Sequence, residues 1–229
     1  MAKRNPGTSS SKRVEHNPDD AFIGGVLQAS SWAQQNRQLL TIIGVALAVI
    51  VGGLWYWVSF QGGVEQQAIG ELERIQQTVG LGDSDAARGE LQTFLERFGG
   101  TRSAGEARMI LGQLHLEAGD AGQAIVVLED AMRDLDEPVN LQSAMLLGAA
   151  YETEGRTADA ISTYRRVASE ATLAFQVTDA RMAAARLLEA EGNTAEAIST
   201  YERVLDELEE TSPNRALVQM RLAELRARS

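Results

Sequence analysis

Residue types that make or break bonds are sparse in this chain. Its only two histidines, His16 and His115, are far apart in sequence, and there is no cysteine. That excludes thiolate nucleophiles, disulfides, thiolate zinc sites and a lipid-modified N-terminal cysteine. No phosphate-cradling glycine loop is present. Carboxylate neighbours such as Glu209-Glu210 and Asp134-Asp136 are charge runs on helical patterns, whose ordinary place is a solvated face. Catalysis needs nucleophile, base or metal ligands that converge on one point, and nothing here does so. His16 sits in a polar tail without a ligand partner nearby, and His115 falls on the packed side of a helical pattern. The chain is expected to be no enzyme and to hold no metal and no cofactor.

The strongest physical signal is instead a stretch without chemistry. Leu39 to Phe60 reads LLTIIGVALAVIVGGLWYWVSF, 22 residues without a charge. At about 1.5 Å per helical residue it reaches roughly 33 Å, enough to cross the hydrocarbon core of a bilayer. Trp55, Tyr56 and Trp57 stand at one end, where such rings favour the headgroup level. A cleaved signal peptide fits poorly, because 38 residues precede the run and no Ala-x-Ala follows it. Lys3, Arg4, Lys12, Arg13 and Arg37 precede the run, and only Arg74 follows it closely. The expected topology is a single-pass membrane protein with a cytoplasmic N-terminus and its C-terminal domain on the outer side. Within the run, Gly44, Ala48 and Gly52 recur every four residues and put small side chains on one stripe, suited to close helix packing in the membrane.

Charge divides unevenly around this run. The net charge of −11 splits into five basic and three acidic residues over 1–38, and 16 against 29 over 61–229. An acidic domain argues against nucleic-acid binding, which needs clustered Lys and Arg. Residues 1–17, rich in Ser, Gly and Pro, have too few apolar residues to build a core and read as a disordered basic tail. Residues 18–38 begin with Asn17-Pro18-Asp19-Asp20, a helix-start signature. Phe22, Ile23, Val26 and Leu27 then share a face and Trp32 follows, as in an amphipathic juxtamembrane helix.

From residue 61 onward the pattern becomes amphipathic helices separated by glycine turns, and it repeats. EGRTADAISTYRRV at 154–167 returns as EGNTAEAISTYERV at 191–204, identical at 11 of 14 positions. Gly82, Gly119, Gly155 and Gly192 mark one point of the repeat, at spacings of 37, 36 and 37. Each is followed at a fixed offset by Ala87, Ala124, Ala160 or Ala197, and then by Leu91, Leu128, Tyr164 or Tyr201. These residues resemble the tetratricopeptide repeat, a helix-turn-helix unit of about 34 residues. Leu147-Gly148, Tyr151, Gly155, Ala160 and Tyr164 fit it best, whereas His115 and Leu188 stand in for Tyr151, Ala185 for Gly148, and the repeat around Gly82 is degenerate. Beyond the transmembrane helix read at 39–60, the resemblance implies a solenoid of about four tetratricopeptide-like helix pairs over 61–229, so that the whole fold is expected to be all-α. A C-terminal helix near Pro213–Ala227 is expected to cover the open end.

In such repeats the first helix of each pair lines the concave face. The family offset places Met109, Met145 and Met182 there, with Glu106, Gln113, Gln142, Glu152, Asp179, Arg186 and Glu189 as neighbours. Unbranched Met adapts to irregular apolar partners, so other proteins, offering extended or helical segments with apolar anchors and basic flanks, are the expected ligands. The alternative role for these Met residues is filling gaps between helices.

The whole layout, with Asp20-Ala21-Phe22, Trp32, Asn36-Arg37, one anchor and outward repeats, resembles the bacterial ancillary subunits of the Sec translocon. That resemblance implies a place in the bacterial inner membrane with the repeat domain periplasmic, and an adaptor that passes secreted or membrane clients to periplasmic chaperones. The second reading is a structural subunit of a larger membrane complex, held by the small-residue stripe and the repeat domain.

Overall fold

The computed structural model describes residues 36–228. The expected tail at 1–17, His16 and nearly all of the expected helix at 18–38 lie outside those residues. Among the described residues the fold is all helical: α1 (Arg37–Gly80), α2 (Ser84–Phe98), α3 (Ser103–Glu117), α4 (Ala121–Leu128), a 3-10 turn (Glu129–Arg133), α5 (Pro138–Thr153), α6 (Thr157–Glu170), α7 (Ala174–Ala190), α8 (Thr194–Glu207) and α9 (Pro213–Arg228). The chain divides into two compact units between Phe60 and Gln61.

In the first unit, Leu39–Phe60 is helical, but the helix does not end there. It continues to Gly80, because Gly62 and Gly63 only weaken a helix by about 1 kcal/mol each and no proline interrupts it. Ile42, Val49 and Val51 are more than 60% exposed, and a Cβ at Gly44 or Gly52 would meet nothing within 4 Å. Among the described residues no helix is long and apolar enough to cross a membrane. The side chains at 40, 54 and 56–62 fall outside that description.

In the second unit the repeat register decides the architecture. Gly82, Gly119, Gly155 and Gly192 are the four described residues with positive φ, between 72° and 83°, a region that strains a residue bearing a Cβ. They end α1, α3, α5 and α7 and turn the chain into the next helix. Three of these ends share one hydrogen-bond pattern: the N–H of Asp120, Arg156 and Asn193 donates to the carbonyl of His115, Tyr151 and Leu188 at 2.8 to 2.9 Å. These bonds satisfy carbonyls that the helix itself leaves open. Five residues beyond each glycine, Ala87, Ala124, Ala160 and Ala197 are fully buried. Four residues later Leu91, Leu128, Tyr164 and Tyr201 are at most 4% exposed.

Each second helix lies tight against the first helix of its pair. A Cβ at Gly112 would stand 2.5 Å from Leu128, and one at Gly148 would stand 2.4 Å from the Tyr164 ring. Ala185 holds the equivalent place against Tyr201 and is itself fully buried. One apolar cluster joins the second half of α1 through Ala68, Leu72 and Ile75 to α2 and α3. A larger one runs from α4 to α9 and ends on Val218, Leu222 and Leu225, so α9 covers the last pair as a terminal helix must. Arg215 ties α9 down by donating to the carbonyls of Leu205 and Leu208 at the end of α8, at 3.0 and 2.8 Å.

α1 is fixed to α3 by a contact that no local pattern announces. The Glu65 carboxylate accepts from the backbone N–H of Arg102 and Ser103 at 2.9 and 3.1 Å and from the Ser103 hydroxyl at 2.7 Å. It therefore caps a helix start 38 residues away. Burial would raise the Glu65 carboxyl, but these donors, with the Arg102 charge, bring it below its ordinary value.

Candidate partner-binding face

The first helices α3, α5 and α7 carry the ten residues expected on the concave face. Tertiary packing distributes eight of them over two depressions. The first, of about 540 Å³, lies among α3, α5, α6 and α7 and takes in Met109, Gln113, Gln142, Met145 and Asp179. The second, of about 610 Å³, lies among α7, α8 and α9 and takes in Met182, Arg186 and Glu189. Glu106 lines neither and accepts from Gln76 Nε2 at 2.8 Å.

Glu152 stands between the two depressions. Its Oε2 accepts from Arg186 Nη2 at 2.6 Å and its Oε1 from the Tyr164 hydroxyl at 2.7 Å. Tyr164 lines the first depression and Arg186 the second. Burial and the neighbouring carboxylate push the Tyr164 phenol above its ordinary range, so it stays a neutral donor at physiological pH. One repeat on, Tyr201 reaches Glu189 at a longer 3.5 Å.

The three Met side chains are half-buried. Met145 and Met182 pack one side against the core of α4 to α9 while lining a depression with the other, so the gap-filling and groove roles coexist in the same side chain. Several groove residues had no sequence signal of their own: Leu141, Leu146, Ala149 and Val167. Phe175 did have one. With Leu173 it opens α7 as an apolar pair off the repeat pattern, and both are exposed, at 62% and 52%. Arg221, Arg228, Leu217 and Val218 of the terminal helix, which line the second depression, were also unforeseen.

His115 is 6% exposed and neither ring nitrogen has a hydrogen-bond partner. Burial chiefly, and the Arg88 charge next, lower its imidazole below the ordinary value, against a raising contribution from Asp120. It fills the core position expected for it. Among the described residues no group of three or more carboxylates or imidazoles could hold a metal.

The tetratricopeptide repeat-like domain model matches residues 30–227. The chain belongs to that family. A crystal structure of kinesin light chain tetratricopeptide-like repeats from Podosopora anserina is similar, with a TM-score of 0.56 and 20% identity over 71% of this chain and 87% of that one. A tetratricopeptide repeat protein from Parabacteroides merdae superposes with a TM-score of 0.60 at 18% identity, over 71% of this chain and 61% of its own length. At such identities the likeness is one of fold. No curated protein matches the sequence. Domains of this family generally bind other proteins.

Proposed function

We propose that this tetratricopeptide repeat-like chain is a protein-interaction adaptor held at a membrane by Leu39–Phe60, taking apolar-anchored segments of other proteins into the depression between α3, α5 and α7. The observation that carries the reading is the groove itself. Met109 and Met145 present adaptable thioethers beside the exposed Phe175, with Asp179 at the rim, a surface suited to an apolar anchor with basic flanks. The anchor is supported by 22 uncharged residues and by aliphatic side chains left exposed on α1. The layout resemblance makes secreted or membrane clients near the Sec translocon the partners to look for. The structural-subunit reading draws on the open Gly44 and Gly52 positions, where another helix could approach closely.

Two measurements test this. Carbonate extraction should leave the chain in the membrane pellet, and release into the supernatant would remove the anchor. Partner recovery by crosslinking in native membranes should fall for the Met109→Ser variant, whose side chain joins none of the buried apolar clusters, while its melting temperature changes little. If the thioether were core alone, the change would cost roughly 2 kcal/mol or more. Unchanged recovery with an unchanged fold would remove this groove as the site.

A further inference from the structure

The domain's acidity stops at its last helix. Residues 61–212 hold 12 Arg against 28 acidic residues, whereas α9 holds four Arg against Glu224 alone. Two of those arginines, Arg221 and Arg228, line the second depression together with Arg186. Its apolar wall comes from Met182, Leu217 and Val218, and Glu189 is the one carboxylate in the lining. Leu217 and Met220 leave 42% and 48% of their surface exposed on the same helix.

None of the three guanidiniums is locked in place. Arg221 pairs with Glu224 at 3.1 Å with both side chains about two-fifths exposed, a solvated i,i+3 pair that holds its partners weakly. Arg186 is 60% exposed although bound to Glu152. Among the described residues Arg228 has no ion-pair partner. Guanidinium forks match carboxylates in a planar, two-pronged geometry, and they stand here over an apolar wall in a domain that otherwise repels anions.

We propose that the depression between α7, α8 and α9 is a second docking site, distinct from the Met109–Met145 groove, for a partner segment carrying acidic side chains beside an apolar anchor. The apolar residue enters against Met182, Leu217 and Val218, and the side-chain carboxylates meet Arg186, Arg221 and Arg228. Charge complementarity selects this occupant, because a basic-flanked segment would bring its cations onto three arginines. The two depressions thus take segments of opposite charge, and the Glu152–Arg186 pair stands on the border between them.

The probe is a fluorescently labelled, C-terminally amidated amphipathic peptide with Leu on one helical face and Glu beside it, titrated into the full-length chain in mild detergent. Fluorescence anisotropy should show binding that weakens with salt, and that weakens about tenfold in Arg221→Gln/Arg228→Gln, while Met109→Ser leaves it unchanged. Both arginines project from a surface helix, and circular dichroism melting confirms that the variant is folded. A peptide with Lys in place of Glu should not compete. The same peptide with Gln in place of Glu and a free C-terminus separates side-chain carboxylates from a terminal one. Equal binding of that peptide, binding insensitive to the arginine variant, or no binding of the Glu peptide would each overturn the proposal.

Discussion

Arg186 reaches across 34 residues to hold the Glu152 carboxylate at 2.6 Å, and that carboxylate also receives the Tyr164 hydroxyl. The two contacts differ in worth. Arg186 is well exposed, and a solvated ion pair contributes about 0 to 1 kcal/mol. The Tyr164 hydroxyl belongs to a residue only 3% exposed, and removing its acceptor leaves a buried donor at a cost of about 1 to 3 kcal/mol.

Glu152→Ala is therefore expected to destabilise the chain clearly more than Arg186→Ala. Chemical denaturation midpoints of the two variants and the parent check this. Equal effects would mean that the hydroxyl finds water or another acceptor when Glu152 is gone.

Gly148→Ala is expected to cost roughly 1 to 3 kcal/mol by overpacking. The added Cβ would meet three Tyr164 ring atoms at 2.4 to 2.9 Å, and the ring cannot swing freely while its hydroxyl is held by Glu152. Ala185 is tolerated at the equivalent position, where the Tyr201 hydroxyl is held less closely, at 3.5 Å. A melting temperature unchanged in Gly148→Ala would show that α5 and α6 part more easily than the geometry indicates.

His115 gives the chain a specific acid sensitivity. Its folded pKa lies below the ordinary 6.5, so between the folded and unfolded values the unfolded chain binds more protons. The stability tied to the neutral imidazole is complete above about pH 6.5 and declines as pH falls below it. His115→Leu copies Leu188, the residue at the same place two repeats on, and should lose less stability than the parent between pH 7.5 and 5.5. Urea midpoints at the two pH values provide the comparison, and parallel losses would place the sensitivity elsewhere.

How much of this was legible beforehand follows the range of each interaction. The turn at each of the four glycines, the buried alanines and the terminal helix were readable in advance, because the amphipathic period and the C-terminal glycine of a helix act within a few residues of themselves. The packed place of His115 and the helical state of 39–60 are local properties of the same kind. That ten residues share one face was expected from the same periodicity.

Which of those residues meet was decided only in three dimensions. Helical spacing says which way a residue faces but not what the next helix pair brings within 3 Å of it. So Glu65 capping Ser103, Glu152 dividing the expected face in two, and the arginines of α9 reaching a depression begun by Met182 arise from the stacking of successive pairs. Sequence fixes the repeat because its turns and helix faces are local, and tertiary structure selects the sites because they are assembled from side chains 30 or more residues apart.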